Sequence, residues 1–242
     1  MAKMTLDELV TQLRAAYPGA LRAVVLYGSA AGGEHHAKHS DQNVLVIVRA
    51  LSLDAMSAAG AVARAWTGAG NPPPLTLTEA EWKSSVDVFA MEHADIRDRH
   101  KMLYVEPGYD PLAGMHVAPR DIRQQLEYES MATLLGLRGQ ILASDASEKD
   151  RIQLLAGSLS RVLALFRALL RLTGQKPGVD NAAVCRSAAT AAQFDAAPFI
   201  AVLEHRRGTA KLDGDKVAEV LAGYHSGLER MVAFVDVLPA GD

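Results

Sequence analysis

Residues 26–34 read LYGSAAGGE, and residues 40–48 read SDQNVLVIV. An apolar strand is predicted to end at the Gly28-Ser29 turn, and a second apolar strand begins behind acidic and amide residues. Side chains at positions i and i+2 of a strand point to the same face. Residues 41 and 43 are therefore expected to face one site together, an arrangement that indicates a metal-dependent phosphate site.

The chemistry of phosphate transfer explains these residue types. Glycine at position 28 lets the backbone turn tightly and approach a phosphate without a Cβ in the way. Ser29 supplies a hydroxyl and backbone N–H groups that suit an anion. Asp41 supplies a carboxylate of the kind that holds Mg²⁺ against substrate phosphates. In-line transfer at phosphorus needs this positioning and charge neutralisation more than it needs covalent chemistry.

The motif resembles that of the DNA polymerase β-type nucleotidyltransferase superfamily, especially its small bacterial and archaeal members. The matching positions are Gly28, Ser29, Ala31, Gly33, Glu34, Ser40, Asp41 and Val46. The resemblance implies nucleotide binding by Gly28, Ser29, Gly33 and Ser40. It also implies that Asp41 is catalytic and a ligand of Mg²⁺, with Mn²⁺ as the alternative ion.

Two positions depart from the family pattern. Gly32 stands where a basic residue is common, and Asn43 replaces the second acid of the pair. An amide offers a carbonyl oxygen to a hard cation but brings no negative charge. The metal ligands expected from the resemblance are thus Asp41, Asn43 and a third residue elsewhere in the chain.

The third carboxylate is expected in the segment VDVFAMEHADI at residues 86–96. We predict a strand over residues 86–94, next to the first two strands. By resemblance, Glu92 is the catalytic residue and metal ligand, and Asp95 is the alternative. Both acids could instead be solvated residues at the end of a strand.

Composition bounds the protein class. The chain has 242 residues, a net charge of -3 and one cysteine, Cys185. A reducing, cytoplasmic location is expected, because a single cysteine excludes an internal disulfide. This net charge does not indicate binding to a long nucleic acid or to a membrane. The expected partners are a nucleoside triphosphate and a small-molecule or protein acceptor.

The sequence predicts an α+β fold. Residues 1–114 are predicted to form a nucleotidyltransferase-like domain, with a mixed sheet and flanking helices. Residues 115–242 are predicted to form an all-α antiparallel helical bundle. The apolar stretch 152–172 is assigned to that bundle and not to a membrane span, because it carries three arginines. The bundle also resembles the helical domain of small nucleotidyltransferases, which implies acceptor binding and a possible homodimer.

Three functional hypotheses follow. The first is a nucleotidyltransferase that acts on a hydroxyl of a small molecule or a protein. The second is a catalytically impaired nucleotide-binding regulator, or the antidote half of a toxin pair, because Asn43 removes a charge. The third is a dimeric interaction module that keeps the fold and binds no nucleotide.

Overall fold

The computed structural model describes residues 4–31, 42–144 and 147–239. Its contacts divide the chain into two compact units, Met1–Val117 and Ala118–Asp242, here called the sheet unit and the helical unit. The structure divides after Val117, whereas the sequence places the boundary after residue 114.

The described part of the sheet unit alternates helices and strands. Its elements, in chain order, are α1 (Leu6–Ala16), β1 (Leu21–Tyr27), β2 (Asn43–Val48), α2 (Leu53–Gly68), β3 (Leu75–Thr78), α3 (Glu79–Ser84), α4 (Ala90–Asp98) and β4 (His100–Val105). The strands form a sheet of order β3-β2-β1-β4. β1 is antiparallel to β2 and β4, and β2 is parallel to β3. The predicted mixed sheet is confirmed.

Helices cover both faces of this sheet. On one face, α1 and α2 bring Leu9 and Trp66 against the buried side chains of Val24 and Val46. On the other face, Trp82 of α3 and Ile96 of α4 pack in a cluster with β1 and β2 residues that include Val25, Leu45 and Ile47. The continuous apolar runs of β1 and β2 follow from this burial on both faces.

Capping boxes begin two of the helices of the sheet unit. At the start of α1 the backbone N–H of Glu8 donates to the hydroxyl of Thr5, and the Glu8 carboxylate accepts from the N–H of Thr5. Thr78 and Glu81 make the same reciprocal pair at the start of α3. Each pair satisfies two backbone donors that the first helical turn leaves open.

The predicted strand over residues 86–94 is wrong. Helix α4 begins at Ala90, and the edge of the sheet is occupied by β4 instead. The apolar side chains of Val88 and Phe89 are 60% and 47% exposed, so they do not build a buried strand face. The buried positions of the segment follow a helical spacing instead: Ala90, Met91, His93, Ala94 and Ile96.

Trp82 and His93 fix α4 against α3. Their rings stack with centroids 4.0 Å apart. The indole Nε1 of Trp82 donates to the carbonyl oxygen of Pro111 at 2.7 Å. The ring nitrogens of His93 lie 2.9 Å and 3.1 Å from the carbonyl oxygens of Phe89 and Trp82. These contacts give α4, and the acids it carries, a defined position against the sheet.

The described part of the helical unit contains five helices, and the predicted helical bundle is confirmed. They are α5 (Pro119–Ala143), α6 (Glu148–Leu172), α7 (Asn181–Ala192), α8 (Ala197–Arg207) and α9 (Asp215–Asp236). α6 packs against each of the other four. It is long and apolar enough to cross a membrane by length and composition alone, but half of the stretch that qualifies is buried in the bundle. A core helix of a soluble protein can have the same length and apolar composition as a membrane-spanning helix.

Candidate nucleotide site

The Gly-Ser turn follows directly from β1. Gly28, Ser29 and Ala30 form one short 3₁₀ turn, and the N–H of Ala31 donates to the carbonyl oxygen of Gly28 at 3.2 Å. Gly28 has φ of 79°, a left-handed conformation that favours glycine. A Cβ at this position would lie 3.2 Å from Nδ2 of Asn43. The Gly-Ser turn and Asn43, the residue that departs from the family pattern, therefore lie side by side.

Three strands align polar side chains at this end of the sheet. Tyr27 of β1 is the ladder partner of Asn43 on β2 and of His100 on β4. Directly opposite residues in an antiparallel pair share a face. That face is the one covered by α3 and α4, because Val25 and Leu45 alternate with Tyr27 and Asn43 along their strands and belong to that cluster.

His100 has one ring nitrogen fixed. Its Nδ1 lies 2.8 Å from the carbonyl oxygen of Ile96, an atom that only accepts. Nδ1 therefore carries the proton in the hydrogen-bonded ring, and Nε2 of the neutral ring is left as an acceptor. The strand register brings His100 beside Tyr27, and register between distant segments is not encoded in the pattern of one segment.

Helix α4 brings two carboxylates to the same region. Burial raises the pKa of the Tyr27 hydroxyl, and the negative charges of Glu92 and Asp95 raise it further. Both acids therefore lie close enough to Tyr27 to act on it electrostatically. The predicted carboxylates and Asn43 thus both lie near Tyr27, although a helix and not a strand presents the carboxylates.

The two acids have different surroundings. Asp95 accepts a hydrogen bond from Nη2 of Arg99 at 3.1 Å, and the Arg99 side chain is only 8% exposed. The Asp95 carboxylate is therefore occupied by an ion pair with a buried guanidinium one helical turn away. Glu92 lies in the first turn of α4 and is exposed. An incoming ligand therefore reaches Glu92 more readily than Asp95.

Part of the expected site falls outside the described residues. Gly33, Ser40 and Asp41 belong to that part, so their expected roles stay predictions. Within residues 4–31, 42–144 and 147–239, no group of three or more histidine, cysteine or acidic residues is close enough to hold a metal ion. The described oxygen donors near Tyr27, from Asn43, Glu92 and Asp95, are nevertheless of the hard type that Mg²⁺ and Mn²⁺ prefer.

Comparison with known proteins adds a likeness to solved structures. No protein-family model and no curated protein matches the chain. The crystal structure of spectinomycin adenyltransferase AAD(9) from Enterococcus faecialis, with ATP and spectinomycin, matches it with a TM-score of 0.57 at 13% sequence identity. The match covers 93% of this chain and 98% of that one. The fold is of the nucleotidyltransferase type. At this identity the likeness extends to the fold alone.

Proposed function

We propose that this chain binds a nucleoside triphosphate with Mg²⁺ at the Gly28 end of the sheet and transfers its nucleotidyl group to a hydroxyl of a small molecule or a protein. One observation carries the proposal: the Gly28 turn lies beside Asn43, whose ladder partner Tyr27 is close enough to Glu92 and Asp95 for their charges to raise its pKa. A glycine turn of the kind that binds phosphate and oxygen donors for a hard cation are thereby combined at one place.

The structural neighbour supports the substrate class. AAD(9) was crystallised with ATP and with spectinomycin, a small-molecule acceptor. The net charge of -3 agrees with a small acceptor, because a protein that grips a long duplex carries a basic surface. A cytoplasmic location stays a prediction.

Each residue of the site has a role in this proposal. The backbone at Gly28 and Ser29, with Gly33 and Ser40, binds the phosphates. Asp41, Asn43 and Glu92 hold Mg²⁺, or Mn²⁺ in its place. The bound ion neutralises phosphate charge during in-line transfer.

Glu92 is also the proposed general base. Its carboxylate accepts the proton of the acceptor hydroxyl as the oxygen attacks the α-phosphorus and pyrophosphate leaves. Asp95, paired with Arg99, stabilises the last turn of α4, the helix that carries Glu92.

Asn43 favours a second candidate function. The amide beside Gly28 leaves the site one negative charge short of the family pattern, and loss of a charge-stabilising group costs about 3–4 kcal/mol of barrier. A chain that keeps Asp41 but lacks this charge fits a nucleotide-binding regulator or an antitoxin-type pseudoenzyme. A dimeric module without nucleotide is the remaining alternative.

Calorimetry tests the binding part of the proposal. Each nucleoside triphosphate is titrated into the chain with Mg²⁺, with Mn²⁺ and with a chelator. We expect metal-dependent heat for at least one nucleotide. Absence of heat under all conditions overturns both the transferase and the pseudoenzyme, and leaves the interaction module.

A labelled-nucleotide assay separates the two remaining functions. Transfer of label by the native chain, abolished in Asp41→Ala and strongly reduced in Glu92→Gln, supports the transferase. A native chain that binds nucleotide without transfer, together with an Asn43→Asp variant that transfers, supports the pseudoenzyme. Transfer that survives Glu92→Gln undiminished refutes the role given to Glu92.

A further inference from the structure

Helix α5 exposes a second apolar row, here called the α5 stripe: Tyr128, Met131, Leu135 and Leu142. The exposed fractions of these side chains are 72%, 44%, 54% and 86%. Their spacings of three, four and seven residues follow a heptad, so they lie along one side of the helix. The buried residues of α5, such as Leu126 and Leu137, lie on the opposite side.

A helix of a bundle normally carries one apolar stripe, which faces its own core. α5 carries two, and its core-facing stripe already packs against α6 and α9. Contiguous exposed apolar side chains on a folded protein mark an interaction surface more often than isolated ones do. The α5 stripe thus calls for a partner beyond the helices of its own bundle.

A groove between α5 and α9 runs beside the stripe in two parts of about 950 and 550 Å³. The larger part is lined by the acids Glu127, Glu229 and Asp236. The smaller part is lined by Arg151 and His225. Arg138 lies where the two parts meet and donates to Glu229 at 2.6 Å. The larger part therefore has an excess of acids, and Arg151 adds a positive charge to the smaller part, where His225 accepts a hydrogen bond from Nε of Arg138.

We propose that the α5 stripe docks a second copy of this chain, with the two α5 helices antiparallel about a two-fold axis near Leu135. This surface is independent of the proposed nucleotide chemistry. The two-fold rotation brings Tyr128 opposite Leu142 of the partner subunit and sets the acid-rich part of each groove toward the part of the other groove that holds Arg151. A parallel arrangement would bring like charges together.

Arg138 gives this docking its register. It occupies the heptad position between Leu135 and Leu142, and its ion pair with Glu229 keeps the charge at the edge of the stripe. A single polar residue in an apolar heptad row fixes the register of helix pairing. The arginine stem still offers apolar surface to Met131 of the partner subunit.

Cysteine cross-linking tests the two-fold axis directly. In Leu135→Cys the new thiols of two copies meet at the axis, so mild oxidation is expected to give a covalent dimer in high yield. The native Cys185 is buried, and burial raises its pKa to about 12, so it does not compete. Leu53→Cys, at a leucine 78% exposed on α2, is the matched control and is expected to cross-link poorly.

Sedimentation gives the second readout. The native chain is expected to sediment as a dimer of its 25.9 kDa subunit, Leu135→Asp as a monomer and Leu53→Asp as a dimer. A native chain that is monomeric at every soluble concentration overturns the proposal and points to a different occupant of the stripe. Equal cross-linking of the two cysteine variants, or a Leu135→Asp dimer, overturns it as well.

Discussion

Gly28 and Asn43 lie so close across β1 and β2 that a Cβ on Gly28 would stand 3.2 Å from Nδ2 of Asn43. The glycine is needed twice, for its φ of 79° and for the room it leaves to the amide. In this structure the position that lacks the second acid is packed against the turn proposed to bind phosphate. A change at either residue is therefore expected to reach the other.

Gly28→Ala is expected to abolish nucleotide binding and to destabilise the sheet unit. The left-handed conformation alone costs an alanine about 1–2 kcal/mol, and displacement of Asn43 adds to that cost. Calorimetry measures the binding, and the fluorescence of the two tryptophans measures unfolding. Both tryptophans lie in the sheet unit, so their signal reports that unit.

Gly19→Ala is the matched control for this substitution. Gly19 has φ of 67°, and among the described residues no atom would lie within 4 Å of its Cβ. The variant is expected to lose stability from its backbone conformation and to keep nucleotide binding. Equal loss of binding in both variants would show that destabilisation, and not the contact with Asn43, explains the effect.

Removal of a charge from α4 is expected to lower the pKa of Tyr27. Burial raises this pKa first, and the charges of Glu92 and Asp95 add to the shift. Glu92→Gln removes one charge while keeping size, so the Tyr27 hydroxyl should ionise at lower pH than in the native chain. Proteins labelled at the tyrosine ring carbon allow the titration to be followed by NMR, with Tyr27→Phe assigning the signal.

Glu81→Gln serves as the control for that titration. Glu81 belongs to the capping box of α3, and its charge does not act on the Tyr27 hydroxyl in the described structure. An unchanged Tyr27 titration in Glu92→Gln would place Glu92 away from Tyr27 and remove its claim to the site.

Asn43→Asp is expected to make the sheet unit dependent on metal. In a chelator, the added carboxylate repels Glu92 and Asp95, so the melting temperature should fall below that of the native chain. With Mg²⁺ the carboxylates at positions 41, 43 and 92 gain a shared cation, and the melting temperature should rise by more than that of the native chain. If Mg²⁺ raises the melting temperature of the variant no more than that of the native chain, no cation binds at Asn43.

Apolar runs and the turn between them predicted the two central strands. β1 ends at Tyr27, directly before the Gly28-Ser29 turn, and β2 covers Asn43–Val48, the second predicted apolar strand. These signals are local, because each apolar run and the turn or polar residues that bound it lie within a few positions of one another. Such local signals indicate whether a segment forms a helix or a strand without reference to tertiary contacts.

Helix α4 and the cluster at the site depend on non-local contacts. Val86, Val88 and Phe89 imitate a strand, but the stacking of His93 on Trp82 and the burial of Ile96 against the sheet favour a helix. The row formed by Tyr27 with Asn43 and His100 depends on strand register. Register is set by pairing between segments far apart in the chain, and no pattern in one segment encodes it.

Gly227→Ala is expected to destabilise the helical unit. A Cβ there would stand 2.6 Å and 2.8 Å from ring atoms of Phe199, which packs on Tyr224 in the core. Overpacking costs about 1–3 kcal/mol, which exceeds the roughly 1 kcal/mol gained from helix propensity. Urea unfolding followed by circular dichroism measures the difference. Gly157→Ala, with no described atom within 4 Å of its Cβ, should instead gain stability.

An ion-pair network at the other end of the sheet predicts acid sensitivity. Arg22 donates to Glu106 and to Glu79, and its guanidinium lies 4.0 Å from the centre of the Tyr109 ring. The hydrogen bond from Arg22 is the largest cause that lowers the pKa of Glu106 below its ordinary 4.5. The hydrogen bond from Lys83 is the largest cause for Glu79.

Both acids bind protons more weakly in the folded chain than in the unfolded chain. Their contribution to stability is therefore complete above about pH 4.5 and is lost as the pH falls through the folded-state pKa values. Glu106→Gln should be less stable than the native chain at neutral pH and should lose less stability on acidification. The two curves of unfolding free energy against pH, followed by tryptophan fluorescence, should converge in acid. Asp87→Asn, at an exposed acid of the same sheet unit, serves as the matched control. Parallel curves for Glu106→Gln and the native chain would mean that Glu106 titrates alike in the folded and unfolded chains, against the network described.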